Sequence, residues 1–156
     1  EPTKVHFIRE ISRKINLAHT SVKKHISTLL NENIIVKKQD IFPGYSANLN
    51  NEDFIFYKKI DNQIKIKTCG LLDYLLDNTH PEAMVLHGSY SKGEDREHSD
   101  IDILILTKTS KKLNLEKFEN ALKRGIHLII EKDIKNLNKN LIENIKNGFI
   151  IYGYLK

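Results

Sequence analysis

The sequence predicts an α+β protein, with a mostly helical first part and a second part in which helices surround a small β-sheet. In the first part, apolar residues recur at spacings of three and four, the period of an amphipathic helix. In the second part, short apolar runs alternate with helical patterns, as expected for strands and helices that form one layered domain. Residues 1–67 hold 12 Lys/Arg and 7 Asp/Glu, whereas residues 68–156 hold 13 of each, so all the excess positive charge lies in the first part. We therefore predict two domains, residues 1–67 and 68–156, with an anionic partner for the first.

Two helices open the chain, predicted over residues 5–15 and 19–31. A turn of three residues separates them, and residues 34–38 and 45–49 then predict two strands joined by a turn at residues 41–44. The apolar positions that carry the two helical patterns are Val5, Ile8, Ile11 and Ile15 in the first helix and Val22, Ile26, Leu29 and Leu30 in the second.

Two helices followed by a hairpin resemble the winged-helix family over about residues 4–50. A full winged helix has a further helix that would precede Glu1, so the chain is either trimmed there or a reduced form. The resemblance implies DNA binding, with the second helix in the major groove and lysines on phosphates. The alternative is a module for protein contacts or dimerisation, and a homodimer on two DNA half-sites is also expected. The residues predicted to face nucleic acid are His19, Thr20, Ser21, Lys23, Lys24, Ser27, Lys37 and Lys38.

Residues 51–78 predict a packed helical connector. Asn51 can cap its first turn, and Gly70 marks a kink or a junction between two helices. The apolar residues that continue at helical spacing are Phe54, Tyr57, Ile60, Ile64, Leu71, Leu72 and Leu75.

Residues 84–106 carry the predicted site. An apolar strand ends at Gly88 and Ser89, a polar loop of ten residues follows, and Asp100 and Asp102 then open a second apolar strand. Alternation places both carboxylates on one face, where they repel each other unless a cation lies between them. Hard oxygen ligands suit Mg²⁺. Glycine lets a backbone approach a ligand, and serine offers a hydroxyl and an amide to phosphate. Together these residues predict a metal-nucleotide site for phosphoryl or nucleotidyl transfer.

The motif of Gly88-Ser89, a ten-residue spacer and Asp100-Ile101-Asp102 resembles the signature of the DNA polymerase beta-type nucleotidyltransferase superfamily, in its minimal branch. The resemblance covers about residues 68–153 and implies a small mixed sheet. It implies that Asp100 and Asp102 bind Mg²⁺ (or Mn²⁺) and that ATP or another NTP is the donor. The acceptor hydroxyl would belong to a protein, an RNA end or a small molecule. The residues expected to bind the nucleotide are Gly88, Ser89, Lys92 and Arg96.

His127 stands where full members of the superfamily carry a third carboxylate. It lies on a strand predicted at residues 126–130, between a helix at 113–122 that ends with a left-handed Gly125 and a helix at 133–147 capped by Gly148. We include it among the catalytic candidates, as a ligand of Mn²⁺ or Zn²⁺ or as a base. The alternatives are a satisfied histidine in the cleft, or a regulator whose nucleotide-sensing domain has little or no turnover. His87 is expected to serve packing.

Composition indicates a soluble globular protein, with 40% hydrophobic and 29% charged residues. No apolar run approaches the ~20 residues of a membrane span. A single cysteine, Cys69, excludes an internal disulfide and predicts a cytoplasmic protein without a membrane partner.

Overall fold

The computed structural model describes residues 2–39, 42–109 and 111–155. The chain divides into two compact units, residues 1–57 and 58–156. This division falls before the boundary predicted near Lys67, because Asn62 and Ile66 of the connecting helix are buried in the second unit. Among the described helices, none combines the length and the apolarity required to cross a bilayer.

The N-terminal unit contains α1 (Ile8–Ile15), α2 (His19–Asn31) and an antiparallel hairpin of β1 (Ile35–Lys38) and β2 (Gly44–Ala47). Helix α1 begins later than predicted because His6 forms a β-bridge with Tyr45. The predicted turn residue Ile41 lies outside the described residues. The order of helices and hairpin is the predicted one, and the winged-helix assignment stays a prediction. The buried apolar residues of this unit are Val22, Ile26 and Ile34.

Two helices follow, α3 (Glu52–Thr68) and α4 (Leu71–Thr79), and Gly70 separates them with a φ of +78°. Asn51 caps α3 as predicted, since its Oδ1 accepts a hydrogen bond of 2.8 Å from the amide of Phe54. The predicted packing of the connector is wrong for part of its apolar face. Tyr57, Ile60 and Ile64 are exposed, and the side of α3 that carries Asn62 and Ile66 is buried in their place.

The C-terminal unit is built on a four-stranded mixed sheet with the strand order β5-β4-β3-β6. Strand β3 pairs antiparallel with β4 and with β6, and β4 pairs parallel with β5. The strands are β3 (Ala83–His87), β4 (Ile101–Leu106), β5 (Ile126–Glu131) and β6 (Phe149–Gly153). The helices are α5 (Gly88–Lys92), α6 (Glu116–Leu122) and α7 (Lys139–Lys146), and a 3₁₀ turn spans Ile134–Asn136.

Both faces of the sheet are covered, and β4 shows which side chains lie on each face. Ile101, Ile103 and Ile105 pack in a core with Leu71 and Leu75 of α4. Leu104 and Leu106 pack in a second core, on the opposite face, with Ile145 of α7. Successive residues of a strand point to opposite faces. Asp102 therefore lies on the same face as Leu104, at the end where β4 begins.

Two predicted helix caps are wrong. Helix α6 ends at Leu122, and its C-cap is Lys123, which takes the left-handed conformation with a φ of +54°, so Gly125 is not the cap. Helix α7 is shorter than predicted because Asn138 caps its start, accepting a hydrogen bond of 2.9 Å from the amide of Leu141. Its C-cap is Asn147 rather than Gly148.

Candidate active site

Three polar side chains form a row across the sheet at the beginning of β4. Strand register places Asp102 beside His87 of β3 on one side and His127 of β5 on the other. Directly paired residues of neighbouring strands share a face of the sheet. His127 Nδ1 lies 3.2 Å from Asp102 Oδ1. The structure thus places His127 next to a predicted metal ligand, where the sequence pattern expected it.

Each of the two predicted metal ligands lies against a glycine. A Cβ atom on Gly88 would lie 2.4 Å from Oδ2 of Asp102, and a Cβ on Gly125 would lie 2.5 Å from Oδ1 of Asp100. Gly88 also has a φ of +72°, which only glycine adopts at little cost. Both positions therefore require glycine for the carboxylates to lie where they do. The sequence pattern identified Gly88 and missed this function of Gly125.

The predicted phosphate-binding residues lie on α5 and on the loop after it. Ser89 and Lys92 are half-buried, and Arg96 is exposed. The ten residues before Asp100 are not one polar loop as predicted, because the first three continue α5 and several side chains are buried. The residues of this stretch that are buried are Tyr90, Ser91, Gly93 and Asp95.

Asp95 is the centre of a buried ionic cluster that the sequence reasoning missed. It is 1% exposed. Lys58 Nζ lies 2.8 Å from its Oδ1, and Arg124 Nη2 lies 2.9 Å from its Oδ2. Asn62 Nδ2 donates to the same carboxylate at 2.8 Å and to the carbonyl of Tyr90 at 2.9 Å. The partners come from distant parts of the chain, so no local spacing signals the cluster.

Arg124 connects this cluster to the predicted metal ligands. Its Nη1 donates to the carbonyls of Arg96 and Ser99, the latter at 3.3 Å. Ser99 immediately precedes Asp100, and Gly125, which follows Arg124, is the residue against which Asp100 lies. The loop between α5 and β4 is therefore held at a fixed position relative to β5.

His87 is buried and its Nε2 has no hydrogen-bond partner among the described residues. Burial lowers the pKa of His87, and the nearby Asp102 carboxylate opposes this shift only in part. His87 is thus a buried imidazole beside Asp102, as expected for its predicted packing position. Burial likewise raises the pKa of Tyr90 to about 12.

The carboxylates fit a divalent cation that is shared with a substrate. Within the described part of the chain, no three His, Cys, Asp or Glu side chains are grouped as a complete metal site. Mg²⁺ is commonly bound by one or two carboxylates together with substrate phosphates. Asp100 and Asp102 supply such a pair of hard oxygen donors, and Gly88 and Ser89 lie at the end of the neighbouring strand.

The predicted nucleic-acid-binding residues all belong to the N-terminal unit. Its residues lie on α2 and β1, and all are exposed except Ser21, which is half-buried. Val22 and Ile26 face the interior on the opposite side of α2, so the polar side of that helix is its open side.

A model of the family "Polymerase beta, Nucleotidyltransferase" matches residues 70–154. No curated protein and no solved structure matches the chain. The matched segment is more than half of the chain and includes both glycines and both carboxylates described above. The chain therefore belongs to the polymerase beta nucleotidyltransferase family.

Proposed function

We propose that the protein is a metal-dependent nucleotidyltransferase that transfers NMP from ATP or another NTP to a hydroxyl group. Family membership supports nucleotidyl transfer. The observation that carries the metal dependence is the pair Asp100 and Asp102, each set against a glycine. Among the described residues, the side chain that forms a hydrogen bond or ion pair with these carboxylates is His127, at Asp102. Such a pair is suited to a cation that arrives with the substrate.

The proposed reaction assigns a role to each of these residues. The acceptor oxygen attacks the α-phosphorus, the bond between the α- and β-phosphates breaks, and pyrophosphate leaves. A divalent cation held by Asp100 and Asp102 would neutralise charge on the triphosphate. Ser89 donates its hydroxyl and amide to the terminal phosphates. His127 accepts the proton of the attacking hydroxyl. We assign Gly88 close approach to the nucleotide, and Lys92 and Arg96 further neutralisation of phosphate charge.

We further propose that the N-terminal unit binds DNA through α2, as the winged-helix resemblance implies. Support comes from the exposed lysines Lys23 and Lys24 and from the net charge of +2 of residues 1–57, which hold 8 Lys/Arg and 6 Asp/Glu. The acceptor is a protein or an RNA end, or otherwise a small molecule. The single cysteine supports a cytoplasmic location.

The second candidate function is a DNA-binding regulator whose C-terminal unit senses nucleotide with little or no turnover. The observation that favours it is the contact of 3.2 Å between His127 Nδ1 and Asp102 Oδ1. This contact engages one carboxylate oxygen that a metal would otherwise bind, at the position where full members of the superfamily carry a third carboxylate.

The test is incubation with ATP labelled at the α-phosphate, with Mg²⁺ or Mn²⁺, followed by detection of label on protein, RNA and small acceptors. We expect transfer that the Asp100→Asn/Asp102→Asn variant lacks. Asp61→Asn serves as the control, because Asp61 is an exposed acid on α3 that pairs with Lys65. If His127 is the base, His127→Gln should lower the rate by about 10²-fold.

Two other outcomes would contradict this proposal, the first in its reaction and the second in its catalytic residues. Nucleotide binding without transfer, accompanied by a nucleotide-dependent change in DNA affinity, would establish the sensing regulator. Transfer that persists in the Asp100→Asn/Asp102→Asn variant would remove both carboxylates from the mechanism.

A further inference from the structure

Helix α3 carries apolar side chains on the side that faces solvent as well as on its buried side. Phe56 is 56% exposed, Ile60 39% and Ile64 54%. Tyr57 borders them and is 58% exposed. A helix that is apolar on opposite sides is normally covered on both. These side chains all belong to one helix, so helix geometry alone places them on a common face.

This face of α3, defined by Asp53, Phe56, Ile60, Ile64 and Lys67, is symmetric about Ile60. Phe56 and Ile64 lie four residues on either side, and Asp53 and Lys67 lie seven residues on either side. At 3.6 residues per turn the five positions fall within an arc of roughly 80°. All five are exposed. The apolar centre is therefore flanked by an acid at one end and a base at the other.

We propose that this face of α3 binds the same face of a second copy of the chain, with the two helices antiparallel. A two-fold axis at Ile60 brings each Phe56 beside Ile64 of the other copy, and each Asp53 beside the other Lys67. The interface is isologous, because the same surface serves both partners. Charge complementarity favours a second copy of α3 as the partner, in the antiparallel orientation, since α3 is acidic in its first turn and basic in its last. Parallel helices would place like charges together.

The size of the face sets the expected affinity. One pair of single helices buries less than the roughly 800 Å² per partner of a standard interface. We therefore expect a dimer that dissociates in the micromolar range and is visible as a concentration-dependent mass. The inference does not depend on nucleotidyl transfer, so failure of either proposal leaves the other standing.

The first test is sedimentation equilibrium of the 156-residue chain, without DNA or nucleotide, across the micromolar range. We expect a monomer–dimer equilibrium that Ile60→Asp abolishes. Ile15→Asp is the matched control, because Ile15 is an isoleucine of similar exposure, 53%, on a different helix, α1, and the dimer should persist. A monomer at every concentration, or a dimer unaffected by Ile60→Asp, would overturn the proposal.

The second test is a charge exchange that reports the direction of pairing. Asp53→Lys and Lys67→Glu each place like charges together at both ends, and each should weaken the dimer by about three- to tenfold. The double variant Asp53→Lys/Lys67→Glu restores opposite charges and should recover the parent affinity. Single variants without effect, or a double variant weaker than both, would rule out the antiparallel arrangement. Both positions are exposed, so folding is preserved and is checked by circular dichroism.

Discussion

Two carboxylates, Asp95 on the connection between β3 and β4 and Asp102 at the beginning of β4, have opposite surroundings. Asp95 is 1% exposed and is compensated by Lys58, Arg124 and the amide of Asn62. The Asp102 side chain is 30% exposed, and its partner among the described residues is His127. Asp95 therefore has two permanently charged partners and Asp102 has none among the described residues, although the two acids are only seven residues apart in sequence.

The difference indicates which carboxylates serve the fold and which are open to a ligand. A buried ionised carboxylate is tolerated only when paired charges and hydrogen bonds replace the water it loses. Asp95 has these partners, so its negative charge is compensated within the protein. Asp100 and Asp102 are positioned by close contact with Gly125 and Gly88, which fixes them without neutralising them. That arrangement suits a cation from outside.

The largest effect is expected at Asp95. Asp95→Asn keeps the shape of the side chain but leaves Lys58 and Arg124 without a buried counter-charge. Breaking a buried ion pair from one side costs about 3–5 kcal/mol in the free energy of unfolding. Urea unfolding followed by circular dichroism measures the loss, and with two compact units the curve is analysed as two transitions.

Asp61→Asn is the matched control for this prediction. Asp61 also pairs with a lysine of α3, but both side chains of that pair are 55% exposed. Exposed ion pairs contribute about 0–1 kcal/mol, so this variant should unfold almost as the parent does. Equal losses in the two variants would mean that Asp95 is not the centre of a structural cluster.

The sheet was predictable and the buried side of α3 was not. Strands β3 and β4 are mostly apolar, and alternation along β4 correctly placed Asp102 on the face opposite Ile101 and Ile103. On α3, counting apolar residues selected Tyr57, Ile60 and Ile64. The structure buries Asn62 instead, because its amide hydrogen-bonds to Asp95 and to the Tyr90 carbonyl. Helical periodicity identifies apolar positions, but it cannot show that Asn62 donates a hydrogen bond to Asp95, which is distant in sequence.

The site was predictable to the extent that its residues are close in sequence. Gly88 and Asp102, on neighbouring strands, come into contact, and position along β5 placed His127 at Asp102. Their catalytic roles stay predictions. Gly125 was interpreted as a helix cap because a glycine after a helical pattern usually is one. Its contact with Asp100 depends on the parallel register of β4 and β5, which the sequence does not display.

An intermediate effect is expected at Gly125, and it separates ligand position from stability. The φ of Gly125 lies outside the left-handed region, so alanine is compatible with the backbone, but its Cβ would lie 2.5 Å from Asp100 Oδ1. The carboxylate must move, and a displacement of about 1 Å can cost about 10²-fold in rate. Gly125→Ala should lower Mn²⁺ affinity, measured by electron paramagnetic resonance, by about tenfold or more, and transfer with it.

Stability provides the control for Gly125→Ala within the same protein. Replacing glycine by alanine where the backbone permits it changes the free energy of unfolding by about 0.4–1 kcal/mol in favour of the folded state. Weaker Mn²⁺ binding in a variant that is at least as stable as the parent would identify Asp100 as a ligand placed by Gly125. Unchanged Mn²⁺ binding would show that the position of Asp100 does not matter to the metal.

The smallest effect is expected on α2. There the comparison is between lysines: Lys58 is paired with a buried acid, whereas Lys23 and Lys24 are exposed. Within the part of the chain that the structure describes, neither Lys23 nor Lys24 forms an ion pair like that of Lys58 with Asp95, so their charge is open to phosphate. Lys23→Ala/Lys24→Ala should weaken DNA binding by up to about tenfold and reduce the slope of log affinity against log salt by about 2, since each phosphate contact contributes about 0.9.

Lys108→Ala, a substitution of an exposed lysine in the other unit, should leave the slope unchanged. Fluorescence anisotropy across a salt series measures both, and an unchanged slope in the double variant would place the DNA contact elsewhere than on α2.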